Sequence, residues 1–403
     1  MNALVNVCFV SLLFAASLLA APDAAGESAR ETPAARLQRQ PQRFAIIFNK
    51  GYAADFLPKD LAEFEKIVVA AKEAHFNVIL CAYDEKRAEI CRRHDLQMMV
   101  DLLVEEHHVY KNPEACRKLC ESLRGNPTIY GYHLWSDNIA GQAEGRSRDV
   151  RAVQEWDGTH PADVGCYRMS KMSAVVGMDL FGYYDFHWKR GGHWRNLGAA
   201  CSLAQARQAG FLRYDDAQPG IVGQGNPNRA GYTMATSIPF GLRGYMYHYR
   251  GGIVDADGRL DALGRDVQKV NAQFAAVGAE LMRLSLPTAV YSTPISTDAR
   301  NDQVAPTAVP GGLAAVPADA DFAVRSGEVL IGVCADAAKR EVLLLAGHNP
   351  YRAQEAVLEL KGAKTAEFFD RAKGAWQPLV ITGGQVRVPV AEYAVELVRV
   401  ARE

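Results

Sequence analysis

Between residues 43 and 249 the chain repeats one alternation: a short, continuous apolar run, then a stretch whose apolar residues recur at helical spacing. RFAIIF (43–48), FNVILCAY (76–83), LQMMVDLLV (96–104) and TIYGYHLW (128–135) are the first four runs. ADVGCY (162–167), MDLFGYYDFHW (178–188), PGIVGQG (219–225) and LRGYMYHY (242–249) are the second four. Strands apolar on both faces belong to a parallel sheet covered by helices. The helical stretches fit: DLAEFEKIVVAAKEA puts Leu61, Phe64, Val68 and Ala71 on one face, and EKRAEICRRHD follows the second run. NPEACRKLCESLRG carries Asn112 as N-cap, Pro113 in the first turn and Gly125 at the close. SLAQARQAGFLRY (202–214) and RAGYTMATSIPFG (229–241) read as helices of the second half. The pattern predicts an α/β fold, a (β/α)8 TIM barrel over residues 43–290. An open doubly wound sheet is the alternative, but GIVGQGNPNRAG lacks the glycine spacing of a dinucleotide loop.

After Tyr249 the texture changes. GRLDALGRDVQKVNAQFAAVGAELMRL (258–284) reads as one long amphipathic helix closing the barrel. From residue 291 to 403, runs such as VLIGVCAD, REVLLLAGHN, AVLELKG, QVRVPV and YAVELVRV alternate at period two. That pattern predicts a C-terminal antiparallel β-sandwich domain.

The other end is of a third kind. Ala3 to Leu19 is apolar and is followed by small residues and Pro22, so residues 1–21 read as a signal peptide cleaved between Ala20 and Ala25, although no Lys or Arg precedes the apolar run. Residues 22–42, rich in Ala, Pro, Arg and Gln, read as a linker. The expectation is a secreted or periplasmic protein with no membrane segment after signal cleavage. A net charge of −1 without a basic block argues against nucleic acid and anionic lipid as partners. Of eight cysteines, Cys8 lies in the signal region, and the odd, scattered remainder is no disulfide framework. Cys116 and Cys120, close behind His107 and His108, read as the inward face of one helix rather than as a metal site. No metal and no cofactor is expected, and the sequence is silent on oligomeric state.

In such a barrel the site is built where strands end at their C-termini. GYHLWSDN (131–138) ends the fourth run in Trp135, Ser136, Asp137 and Asn138. The first three runs end near Asn49, Asp84 and Glu105 to His107. The sixth delivers Tyr183, Asp185, His187 and Trp188, with His193 and Trp194 in the loop beyond; the seventh delivers Gln224, and the eighth His248, Tyr249 and Arg250. Aromatic faces beside amides, carboxylates and histidines suit a carbohydrate: sugar C–H faces stack on Trp and Tyr, and hydroxyls take polar partners. Trp135, Asn138, Tyr183, His187, Trp188, Trp194, Gln224, His248, Tyr249 and Arg250 are the expected substrate-binding set. Asp137 as a loop cap and Asp185 as a partner of Lys189 or Arg190 are the structural alternatives.

GYHLWSDN resembles the fourth-strand signature of barrel glycoside hydrolases related to the family 42 β-galactosidases, and the helix over 258–284 and the closing strands of the last hundred residues are similar to theirs. The resemblance implies a retaining mechanism, with the acid/base at the end of strand four and the nucleophile near the end of strand seven. Asp137 takes the first place, one methylene shorter than the usual Glu. Gln224 takes the second, and an amide cannot be a nucleophile. Asp185 is therefore expected as the second catalytic carboxylate beside Asp137. A barrel that binds carbohydrate without cleaving it is the alternative function. The export reading predicts a mature chain starting between Pro22 and Gly26; N-terminal sequencing of secreted material that still begins at Met1 would overturn it.

Overall fold

The computed structural model describes residues 39, 41–49, 57–134, 143–166, 172, 174–184, 193–216, 227–248, 253–295, 308–349 and 352–402. The first eight strands are β1 (Ala45–Asn49), β2 (Val78–Cys81), β3 (Gln97–Asp101), β4 (Ile129–His133), β5 (Ala162–Cys166), β6 (Leu180–Tyr184), β7 (Gly210–Asp216) and β8 (Leu242–His248). They pair in chain order and close, β8 lying parallel to β1 from Ala45↔Gly244 to Asn49↔His248. The helices between them are α1 (Leu61–Glu73), α2 (Glu85–Arg93), α3 (Pro113–Leu123), α4 (Ala143–Trp156), α5 (His193–Arg207) and α6 (Pro227–Ser237). α7 (Ala262–Leu281) follows β8. The expected TIM barrel is what the chain forms.

Local chemistry explains where several helices start. Asp60 accepts from the Ala62 and Glu63 N–H groups, Asp84 from Arg87, Asn112 from Ala115 with Pro113 behind it, and Asp261 from Gly264. Each satisfies donors that the first turn leaves unpaired. The strands are apolar on both faces because two shells bury them. Ile47, Leu80, Met99, Leu180, Leu212 and Met246 fill the barrel interior. Their neighbours Ile46, Phe48, Ile79, Val100, Phe181 and Phe211 pack outward under the helices.

Two assignments move. Residues 202–214 were expected as helix and 219–225 as strand seven; instead α5 ends at Arg207 and β7 is Gly210–Asp216. Gln208 turns the chain in the left-handed region (φ 50), and at Gly210 a Cβ would lie 2.8 Å from Leu180 Cδ2. A short apolar run such as GFLRY fits either period, and pairing with β6 decides between them. Strand three also ends earlier, at Asp101, and Glu105–His107 is a single 3₁₀ turn. α4 was not foreseen.

The last part is all β: β9 (Ala289–Ser292), β10 (Ala314–Ala315), β11 (Phe322–Ser326), β12 (Val329–Ala335), β13 (Glu341–Gly347), β14 (Gln354–Leu360), β15 (Thr365–Asp370), β16 (Ala375–Leu379), β17 (Gln385–Val390) and β18 (Val395–Ala401). They form a seven-stranded sheet in the order β10-β9-β12-β13-β18-β15-β16 and a three-stranded sheet β11-β14-β17. Ile331, Leu343, Leu345, Leu358, Val388 and Val398 make the core between the sheets. This layer is fitted to the barrel. A Cβ at Gly332 of β12 would strike the Pro239 carbonyl, and Trp376 Nε1 of β16 donates to Glu280 Oε1 of α7 at 2.9 Å.

Cys81, Cys91, Cys116, Cys120, Cys201 and Cys334 are buried free thiols. Below the barrel, Asp157 anchors the turn from α4 into β5. Its Oδ2 meets Tyr132 Oη and His160 Nδ1, each at 2.6 Å, and its Oδ1 accepts from Thr159 N at 2.8 Å. Burial alone would raise this carboxyl, but the hydrogen bonds from His160, Thr159 and Tyr132 overcome it and hold Asp157 at about 2. A carboxylate depressed on folding stabilises the fold at pH values above its unfolded pKa, and that contribution fades as pH falls toward the folded value. The difference corresponds to roughly 2 kcal/mol. Asp157→Asn is therefore expected to cost about that much by urea unfolding at neutral pH, and the gap to wild type should narrow as pH drops below about 4. A gap that stays constant with pH would show that the charge is not what stabilises the turn.

Candidate active site at the strand C-termini

The closed barrel brings one end of every strand to a common mouth, and the upper interior there is polar. Asn49 ends β1, Asp101 ends β3, His133 ends β4, Asp163 sits in β5 and Tyr214 near the end of β7. Asn49, Asp101 and His133 are buried, and Asp163 is fully so. Asp101 accepts from the Leu103 N–H at 2.9 Å, which turns the chain out of β3. Asn49 Nδ2 lies 3.4 Å from the Met246 sulfur across the β1–β8 seam.

One carboxyl group organises the centre. Asp163 Oδ2 lies 2.8 Å from His133 Nδ1 and also accepts from the Tyr214 hydroxyl. His133 and Asp163 are direct register partners on neighbouring strands. Tyr214 is two strands away, and its ring crosses the inner face of β6 to arrive. Gly182 is what lets it through, because a Cβ there would overlap the Tyr214 Cζ and hydroxyl. A buried carboxyl group needs such partners, since leaving one unbonded costs far more than the bond itself contributes. The Tyr130 phenol, also inside the barrel, is pushed well up by burial and then by the nearby Asp163.

Strand ends complete the set by register. β7 closes on Asp215 and Asp216, and Asp216 pairs with His248, which in turn pairs with Asn49. On the β2–β3 side the mouth opens into a cleft of about 240 Å³ lined by Leu57, Lys59, Tyr83, Arg87, Glu106 and His107. Burial, then a hydrogen bond to Glu85, pushes the Tyr83 phenol well up.

The residues expected from sequence fall as follows. His248 ends β8, and Tyr183 lies in β6 opposite Cys166 and Arg213. Trp194, expected in a loop, lies in the first turn of α5 and is buried. Its ring meets His193 at 4.7 Å and His348 of the C-terminal layer at 5.7 Å, both edge to face. Trp135, Asp137, Asn138, Asp185, His187, Trp188, Gln224, Tyr249 and Arg250 lie outside the described residues. The seventh strand itself ends at Asp216. Sequence reasoning passed over Asp101, Asp163, Tyr214 and Asp216. The available signal was a polar residue inside an apolar run, as in MMVD and ADVG.

No protein-family model matches the chain, and no curated protein sequence does. Among solved structures it is similar to a family 5 glycoside hydrolase from Bacteroides vulgatus ATCC 8482, with TM-score 0.53 and 10% identity over 89% of this chain and 90% of that one. It is also similar to a second glycoside hydrolase, with TM-score 0.52 and 10% identity over 89% of this chain and 93% of that one. At that identity the likeness is one of fold, and a barrel fold hosts many chemistries.

The setting of Trp194 separates packing from recognition. Trp194→Ala is expected to cost about 3–5 kcal/mol of stability, as for other buried aromatics. Calorimetric melting reads the cost; an unchanged melting temperature would show that the ring is not a packing residue.

Proposed function

We propose that the barrel is a glycoside hydrolase, exported from the cytoplasm, that cleaves a glycosidic bond in an oligo- or polysaccharide. Asp137 is its acid/base and Asp216 its second carboxylate. The observation that carries the reading is that β7 ends on Asp215 and Asp216 at the mouth of a closed barrel. The resemblance of GYHLWSDN to the family 42-related enzymes implies a nucleophile near that strand end, where Gln224 had seemed to leave an amide. Asp216 is the candidate of the two because it is the last residue of β7, paired with His248 at the end of β8. Across the mouth, β4 ends at His133, so Trp135, Ser136 and Asp137 follow almost at once.

Two carboxyl groups flanking one glycosidic oxygen do complementary work: one protonates the leaving group, the other attacks or activates water. A separation of about 5–5.5 Å gives retention and about 6.5–9.5 Å gives inversion. Asp185, which directly follows the last residue of β6, is the competing second carboxylate.

The test is turnover of a panel of aryl glycosides and plant and algal polysaccharides by wild type and by Asp137→Asn, Asp216→Asn and Asp185→Asn, with product anomers followed by NMR. Asp137→Asn and Asp216→Asn are each expected to lower kcat by about 10²–10⁴-fold, and azide should restore turnover of an Asp216→Ala variant as a glycosyl azide. Loss on Asp185→Asn with Asp216→Asn active would transfer the role to Asp185. Wild-type binding without any turnover would replace the hydrolase by a carbohydrate-binding barrel.

A further inference from the structure

We infer that His133, Asp163 and Tyr214 act together as a positioning bridge that sets the distance between the two reacting carboxylates. This inference rests on the function proposed above. The bridge joins β4 to β5 through His133 Nδ1 and Asp163 Oδ2 at 2.8 Å, and β5 to β7 through the Tyr214 hydroxyl on the same oxygen. It lies inside the barrel, with Asp163 fully buried and His133 nearly so. The His133 and Tyr214 rings also sit 6.0 Å apart at 64°, so the two ends of the bridge pack on each other.

Its two ends lie close in the chain to the proposed reacting groups. Only Leu134, Trp135 and Ser136 separate His133 from Asp137, and only Asp215 separates Tyr214 from Asp216. β4 and β7 are not neighbours, and backbone pairing connects them only through β5 and β6 on this side. Each parallel pairing tolerates some twist and slide, and three in succession add up. A side-chain link that skips β6 removes that freedom. The barrel leaves room for it: Gly182 stands where any side chain would collide with the Tyr214 ring. Gly182 pairs with Leu212 on one side and Gly165 on the other, so the gap lies within the sheet rather than at a loop. A glycine in mid-strand weakens the strand unless something approaches closely there, and here the phenol does.

The separation of two carboxyl groups decides both the mechanism and how strongly they share a proton, so a small shift matters chemically. The bridge acts in this reading through β4, which precedes Asp137 in the chain, and β7, which ends on Asp216.

The experiment compares wild type with Tyr214→Phe, Asp163→Asn and the double variant, each checked for a cooperative melt. Tyr214→Phe removes the hydroxyl and keeps the ring. It is expected to lower kcat by about 10–100-fold with KM unchanged and to shift the spacing between the acid and alkaline limbs of the kcat profile. A residue that merely stabilises the fold would move the melting temperature and leave those limbs in place. The double variant should be no slower than the worse single one, because members of one unit are not additive. Carbon-13 labelling of tyrosine Cζ reads the bridge without turnover: the resonance deleted by Tyr214→Phe should shift in Asp163→Asn. Active wild type with kcat and limbs unchanged in Tyr214→Phe overturns the positioning role while the hydrolase reading stands. Wild type without turnover overturns the hydrolase reading and the role together, and an unshifted Cζ resonance overturns the bridge itself.

Discussion

A carboxyl group without solvent contact inside a barrel must be satisfied from within, and Asp163 dictates what surrounds it. One oxygen takes His133 from the next strand and the Tyr214 phenol from two strands away. For that phenol to arrive, β6 must carry Gly182, and for Tyr214 to start from the right place, β7 must begin at Gly210 packed against Leu180. Three of the eight strands are thus keyed to one another by polar contacts above an apolar floor of Ile47, Leu80, Met99 and Leu212. Apolar packing is forgiving of small slides, whereas hydrogen bonds are directional and fix a register. The lower barrel supplies stability and the upper barrel supplies geometry.

The C-terminal layer is part of the same economy of fit. It meets the barrel through close backbone approach at Gly332 and Pro239, through Trp376 on Glu280, and through Trp194 against His348. Arg243, in β8, adds bonds to the carbonyls of Leu281 and Leu284 at the end of α7. Burial lowers the pKa of this guanidinium, which gains carbonyl acceptors in place of water. α5, which leads into β7, is covered on its first turn by this layer, so the sandwich braces the half of the barrel that carries Tyr214 and Asp216. Beneath the barrel, Asp157 does the corresponding work for β4 and β5 by tying Tyr132 to His160.

The sequence determined the architecture by itself. Doubly apolar runs alternating with capped amphipathic helices admit few folds, and the change to period-two runs after residue 291 marks the second layer, because burial of one or both strand faces is written directly in residue order. It also pointed to the mouth of the barrel, since strand ends are readable. It misplaced β7, because GFLRY satisfies helical and strand spacing alike and only pairing with Leu180–Tyr184 of β6 distinguishes them. With that shift the strand end passes from Gln224 to Asp216. The relation of His133, Asp163 and Tyr214 was not legible at all: they come from three strands, and their meeting depends on barrel closure, on register, and on a glycine whose value is the absence of a side chain. Local periodicity fixes which faces are buried; only the tertiary structure decides which polar groups share the space left inside, because that space exists only once the barrel has closed.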